Sequence, residues 1–400
     1  MASIGLEPTP IGAAVRLLPD RSVGASSSTD HRARTGAALP SHASFLAQRR
    51  FGSLNGLRCL AIVEVIAHHA SGRRGGPLAL GVGVDLSFSI SGFLITTLLV
   101  REFRKTGRIA VRRFYARRTL RIFPLYFTVL GAYVLLVLAS RTGTPEGTAF
   151  MHHLPAFGTL TSNWFVPRAH GESIFYFAWS LATQEQFYLL WPPLLLLCLA
   201  PGRWWRAAAA AIALVVIHQI AVYAVDGDRL PLAVVRSIAV PICLGAAWAL
   251  VLHSPSGFAA ARRLLGHRAT ALALLVAAIA SFVVLSPYEI LEVLLPALVA
   301  ACCIREDTFA APLLTAGPMD LVGEISYGMY LLHMLAINAV RPFVGQRFGV
   351  PVFLAGTALT IALAYGSYRW FETPILRYRD RLHRAIHFQT SSSGANPKLA

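Results

Sequence analysis

Acidic residues are scarce in this chain: 19 Asp and Glu stand against 36 Lys and Arg in 400 residues, and charged residues of both signs make up only 14%. Soluble domains carry about a quarter of their residues as charges, so this share excludes an ordinary water-soluble enzyme. Cysteine is nearly absent. Cys59, Cys198, Cys243, Cys302 and Cys303 lie in or beside apolar stretches without metal-type spacing, which gives no ground for a disulfide framework or a metal site. Residues 1 to about 50 lack an apolar core of signal-peptide length. They mix Ser, Ala, Arg and Pro, with the run Ser26-Ser27-Ser28, and read as a disordered cytoplasmic tail; residues 377–400 read as a second one.

Apolar sequence fills the space between. Hydrophobic residues make up 55% of the chain, and mean hydropathy is +0.57. Runs near the roughly 20 residues needed to cross a bilayer recur along its length. They predict an all-α, polytopic membrane helix bundle occupying residues 51–376, with about ten transmembrane helices near 53–71, 79–100, 122–140, 175–200, 207–225, 231–252, 269–286, 289–304, 321–341 and 351–371. The net charge of +17 is what a nucleic-acid binder would carry, but the excess sits in short loops between apolar runs, so no nucleic-acid partner is expected. From Arg101 to Arg121 nine cations face one acid, Glu102. That loop is expected on the cytoplasmic side, and span parity then puts both termini inside. The connection from Arg141 to Ser173 falls outside; with Trp164, Phe165, Phe175 and Tyr176 it is too rich in aromatics for a plain turn and should pack back over the bundle or dip into the interface.

Several spans carry more polar side chains than an anchor needs. In Asn55–Ala70, Arg58 and His69 are eleven residues apart, which places them within roughly 20° of one helix face and about 16 Å apart along it. Ionisable groups inside a span are costly unless they face a protein interior or a wet cavity, so this face is a candidate site. The second span holds Asp85, Ser87, Ser89 and Ser91 between Gly81, Gly83 and Gly92; a packed polar interface and a ligand-facing surface are both open here. Arg118 and Arg121, an i, i+3 pair, present guanidinium forks suited to phosphate or pyrophosphate, although arginines at such a rim also meet lipid headgroups. Ser180, Gln184 and Tyr188 share one face of the fourth span, with Glu185 and Gln186 turned away. Glu372, beside Pro374 at the end of the last span, suits an anchoring role.

Taken together, these stretches resemble the integral membrane acyltransferases of acyltransferase family 3, which O-acylate bacterial surface glycans and some secondary metabolites. Five collinear motifs carry the likeness: Leu54-Asn55-Gly56-Leu57-Arg58 with His69, an Arg-x10-His pattern; Gly83-Val84-Asp85 leading to Ser91-Gly92-Phe93-Leu94; Arg118-x-x-Arg121-Ile122-x-Pro124; Trp179-Ser180-Leu181 to Glu185-Gln186-Phe187-Tyr188; and Ser326-Tyr327-Gly328-x-Tyr330-x-x-His333. The resemblance implies transfer of an acyl group, acetyl in the first instance, from acyl-CoA to a hydroxyl of lipopolysaccharide, exopolysaccharide or a related glycan, at the bacterial inner membrane. It implies His69 as the catalytic histidine, Arg58 as its motif partner and Glu185 as a further catalytic residue, with Arg118, Arg121, Asp85 and Ser91 on the donor side. An imidazole suits general-base work at neutral pH. Direct transfer and a covalent acyl relay are both compatible with these residues.

The chain departs from that pattern at four points. Asn55 stands where an Asp is usual, Cys59 where a Gly is usual, and Gln184 replaces the first member of an acidic pair. Glu64 is an additional acid, four residues from His68, which it could hold protonated, leaving the chemistry to His69. The fused esterase domain of some relatives is not expected after the last span. A transporter or flippase of a lipid-linked sugar is the alternative from another class, because polar midplane residues also line transport pathways. The arginine set with His69 is what separates the two.

Overall fold

A computed structural model of the chain describes residues 40–72, 81–167, 173–199, 204–227, 229–283, 288–345 and 348–377. The chain divides into two units at His42, and every described helix belongs to the second. In order these are α1 (His42–Ala47), α2 (Ser53–Ser71), α3 (Gly83–Thr106), α4 (Val111–Ser140), α5 (Pro145–Gly158), α6 (Ser162–Phe165), α7 (Ala178–Cys198), α8 (Trp204–Tyr223), α9 (Leu230–Arg236), α10 (Val240–His253), α11 (Pro255–Leu265), α12 (Thr270–Val283), α13 (Tyr288–Ile304), α14 (Ala311–Leu314), α15 (Gly317–Val344) and α16 (Val350–Ser367), the last running into a π turn at Tyr368–Glu372. No strand occurs among the described residues. Proline opens α5, α10, α11, α15 and α16 in the first turn, where a missing N–H costs nothing. Gly107, at φ 70°, ends α3 by returning its N–H to Phe103 O.

Helices stand at all ten expected places, but they are not ten plain spans. Four are individually long and apolar enough to cross a membrane, Gly83–Thr106, Val111–Ser140, Trp205–Tyr223 and Val350–Arg377; two bent pairs raise the number to six. The expected span at 231–252 is broken by a 51° bend between α9 and α10, ahead of Pro241, which has no N–H to return to the preceding turn. A second bend, of 67°, separates α11 from α12. The helix at the first expected place, α2, is 19 residues long and spends part of its length on Asn55, Arg58, Glu64, His68 and His69. Side chains that build a site are what lower its hydropathy.

The bundle is organised around α3, which packs against α2, α7, α10 and α13. Its closest partner is α10, and glycines make that approach possible. A Cβ on Gly92 would lie 1.9 Å from Ile242 O, and one on Gly245 would lie 2.3 Å from Ser89 O. Close contact through small residues, one of the two readings of this stretch, is therefore present. Helix α15 lies against α2 and α16. Inside, Trp191 donates its Nε1–H to Thr96 Oγ1 at 2.8 Å and stacks on Phe187. Outside, Leu135, Leu197 and Phe343 are 69%, 78% and 91% exposed, an apolar surface suited to lipid rather than water.

Two ends of the bundle are defined by what meets there. At one, the loops after α3, α10 and α13 gather: Arg104 donates to His253 O, and Arg268 reaches Asp307 at 2.6 Å. Helix α1 joins them, with Phe45 buried against Phe258 and His253, and His42 bonded to His253 O at 3.2 Å. The packed region thus begins inside the stretch expected to be tail, because Phe45 finds an apolar seat; residues 1–39 and 378–400, where the rest of both expected tails falls, lie outside the described residues. At the other end Gly349 N–H bonds to Ala70 O, and Trp164 Nε1–H bonds to Ser237 Oγ at 2.8 Å. The long connection from Arg141 does pack back: Phe157 and Phe175 are buried, and Tyr126 Oη–H bonds to Phe157 O at 2.7 Å.

Candidate active site

One cavity of about 1300 Å³ runs through this bundle. Along α2 it is lined by Asn55, Arg58, Ile62 and Val65; along α4 by Arg113, Arg117, Arg118 and Arg121; along α7 by Ser180, Gln184 and Tyr188; and along α15 by Asp320, Ser326, Tyr327 and Tyr330. On α3 the lining extends from Val84 to Lys105, a stretch of about 30 Å at 1.5 Å per residue. That length approaches the thickness of a bilayer's hydrocarbon core.

Its charged end is built from paired side chains. Arg58 donates to Asn55 Oδ1 at 3.3 Å, and Asn55 donates in turn to Asp320 Oδ1 at 2.8 Å. An amide at position 55 can accept from the arginine and donate to the aspartate at once, which a carboxylate there could not. The Arg118 guanidinium lies 4.1 Å from the centre of the Tyr188 ring, and Gln184 donates to Tyr188 Oη at 2.8 Å. The i, i+4, i+8 face of α7 therefore forms the wall that holds Arg118. Arg121, one turn further along α4, is exposed into the same space.

The opposite end is aromatic. His69 Nδ1 lies 2.9 Å from Val65 O and 3.2 Å from His333 Nε2, while His333 Nδ1 contacts Tyr330 O. A carbonyl oxygen only accepts, so His333 carries its proton on Nδ1 and offers Nε2 as an acceptor; His69 likewise carries its proton on Nδ1 and shares it between Val65 O and His333. The free lone pair of neutral His69 is then on Nε2. Phe177 packs edge-on against His333 at 5.0 Å, and Tyr176 against His69 at 5.8 Å. Tyr330, whose ring centre lies 5.5 Å from that of His333, lines the cavity together with Ser180. Tyr330 Oη and Ser180 Oγ are 2.5 Å apart, with Tyr330 also bonded to Phe177 O at 2.7 Å. The cavity reaches Val65, one turn short of His69.

The expected site residues divide accordingly. Arg58, Arg118, Arg121 and Ser91 line the cavity, and His69 lies beyond its inner end. Asp85, expected on the donor side, is elsewhere: it is buried in the first turn of α3, accepts a hydrogen bond from Tyr288 and does not line the cavity. Its position at a helix start turns it to α13 instead. Glu185, expected among the catalytic residues, does not itself line the cavity; it lies within electrostatic range of Arg118 and Tyr327, which do, and its Oε1 has no hydrogen-bond partner among the described residues. Glu64 accepts from Gly81 N and Gly83 N, clasping the start of α3. Sequence reasoning quoted Ser180, Tyr330 and His333 in its motifs, and Ser180 on a polar face of the fourth span, but named none of them as a site residue; Tyr330 contacts both of the others, and the i, i+3, i+6 spacing of Tyr327, Tyr330 and His333 was the available signal.

Comparison with known proteins gives one family. Residues 51–369 match the sequence model described as Acyltransferase domain. Among similar proteins, a Staphylococcus aureus (strain MRSA252) protein provisionally named an O-acetyltransferase is 25% identical over 382 residues, covering 86% of this chain and 59% of its own. YrhL of Bacillus subtilis (strain 168), provisionally named a peptidoglycan O-acetyltransferase, is 27% identical over 387 residues, with 86% and 59% covered. The Listeria monocytogenes (strain EGD-e) peptidoglycan O-acetyltransferase OatA is 26% identical over 358 residues, with 81% and 55% covered. The chain thus spans about three-fifths of the length of the curated relatives it matches. No solved structure matches it.

Proposed function

The chain belongs to the Acyltransferase domain family, and from that premise we propose that it is a membrane O-acyltransferase moving an acetyl group from acetyl-CoA to a hydroxyl of a cell-envelope glycan. The observation that carries this reading is the His69–His333 pair, which leaves His69 Nε2 as a free base at the inner end of an arginine-lined cavity. The nucleotide of the donor lies among Arg58, Arg118 and Arg121, and its pantetheine arm extends along Ser91 and Ser87 toward Tyr330. Parting of the Tyr330–Ser180 contact admits the thioester to His69. The acceptor hydroxyl gives its proton to His69 Nε2 as its oxygen attacks the thioester carbonyl. The C–S bond then breaks, and the leaving thiolate takes the proton back from the imidazolium.

Helix α2, α7, α13 and α15 cross the bilayer with the longer apolar helices, completing about ten spans. The arginine end faces the cytoplasm, with the donor, and the His69 end faces outward, where an envelope glycan is met. The positive loop from Arg101 to Arg121 supports that orientation in a bacterial inner membrane.

The test is transfer from radiolabelled acetyl-CoA by purified protein in lipid to peptidoglycan, lipopolysaccharide and exopolysaccharide acceptors. Wild type transfers label to one of them, and His69→Ala, shown folded by its melting temperature, loses about 10²–10⁴-fold. Undiminished transfer by His69→Ala, or no consumption of acetyl-CoA with any acceptor, overturns the reading.

A further inference from the structure

Nine cations line the cavity against two acids, Glu102 and Asp320. One pyrophosphate does not call for so many. The cavity, at about 1300 Å³, also exceeds the roughly 300–1,000 Å³ of ordinary small-molecule pockets. Helix α4 lays its arginines out as a ladder: from Arg121 back to Arg113 is about 12 Å toward the end of the bundle where α1 sits. Arg118 and Arg121 form the inner rungs, with Arg58 near them. Arg113 forms the outer rung, where α3 ends with Lys105 and where Arg49 and Arg50 complete the lining.

Arg49 and Arg50 are not on a loose tail. Arg101 donates from Nη1 to Gln48 O at 2.6 Å and from Nη2 to Phe45 O at 3.1 Å, and its guanidinium lies 5.3 Å from the Phe51 ring centre. Gln48 is bonded in turn to Glu306. The segment from Phe45 to Phe51 is therefore strapped to α3 on both sides of the two arginines, which stand at the cavity mouth.

Building on the acetyl-CoA reading above, we propose that Arg49 and Arg50, with Lys105 and Arg113, form a second phosphate subsite at this mouth, for the 3′-phosphate of coenzyme A. In coenzyme A the 3′-phosphate and the pyrophosphate leave the same ribose, so the two anions need two cationic groups one sugar apart. From Arg113 to the inner rung Arg118, α4 rises about 7.5 Å, the scale of one sugar. Arginine forks also suit a dianionic terminal phosphate, which offers three acceptor oxygens. The subsite selects coenzyme A over nucleotide thioesters that lack this group.

The experiment is titration calorimetry of the full chain in nanodiscs of uncharged lipid, with coenzyme A and with 3′-dephospho-coenzyme A, on wild type and on Arg49→Gln/Arg50→Gln. Wild type binds coenzyme A about tenfold tighter than the dephospho form, and the double variant brings that ratio toward one. Equal affinities in wild type, or a ratio unchanged in the double variant, overturn the subsite. A double variant that keeps the ratio but loses binding to anionic vesicles overturns it in favour of lipid headgroups. Failure of wild type to bind either nucleotide overturns the subsite and the donor reading together. The expected ratio in a protein that acetylates no acceptor leaves the subsite standing and removes the enzyme reading alone.

Discussion

The arginine end of the cavity and the histidine pair beyond its other end are built on opposite principles. At the arginine end, charge is abundant and half-open to solvent; Arg121 is exposed and Arg118 rests on a Tyr188 face. At the histidine end no formal charge is needed, and His333 is fully buried between Phe177 and Tyr330. Cations on long side chains suit capture of a large polyanion, whose own charge completes the arrangement. A fixed imidazole pair suits proton transfer, because each ring nitrogen has its hydrogen-bonding role dictated by a carbonyl. On the proposed reading, recognition and chemistry are thereby separated, with the histidine pair standing beyond the end of the cavity.

Substitutions at the two ends should therefore fail in different ways. The largest effect among them is expected at His333. His333→Leu removes the acceptor that shares the His69 Nδ1 proton and should lower kcat about 100-fold at unchanged donor KM. His333→Gln, which keeps an acceptor near the Nε2 position, should recover part of it. Equal losses in both variants would reduce His333 to a packing role. A smaller effect is expected from Arg118→Gln, which should raise the KM for acetyl-CoA about tenfold with kcat held, the equivalent of one charge-assisted contact near 1.4 kcal/mol. A fall in kcat without a change in KM would break the division between the ends.

The smallest effect lies on the rim outside the cavity. Hydrogen bonds from Arg305, and then from Arg268, hold the Asp307 carboxyl below the usual carboxylate range. A depressed value in the folded protein means stability present above the unfolded carboxylate pKa near 4 and lost as pH falls through the folded value. Asp307 is 44% exposed, so Asp307→Asn should cost less than about 1 kcal/mol at pH 7 and nothing in strong acid. Melting temperatures at pH 7 and pH 3 measure this; a drop of many degrees at pH 7 would assign the rim a structural weight the pairing does not suggest.

Much of this arrangement was legible in the chain. The ten apolar stretches marked where helices form, and the Arg-x10-His spacing singled out Arg58 and His69. The shared face of Ser180, Gln184 and Tyr188 proved to be the cavity wall. What misled was local adjacency. Asp85 sits beside serines that do line the cavity, yet it bonds to Tyr288, 203 residues away. Glu185 follows Gln184 by 100° around α7 and is not among the residues that line the cavity. Glu64, on the same face as His68, also accepts from the amides of Gly81 and Gly83 at the start of α3.

Composition by itself determined that this chain belongs in a membrane, because apolar runs of bilayer length leave few other solvents for it. Residue type determined which chemistries were available: imidazole for proton transfer, guanidinium for phosphate. The tertiary structure alone decided who meets whom. His69 and His333 are 264 residues apart, and nothing in the spacing of either helix states that they face each other. That pairing follows from α15 packing against α2, and the cavity from the side chains that α2, α3, α4, α7 and α15 turn to one shared space. Helical periodicity orients a side chain around its own axis; only packing chooses the neighbour it meets.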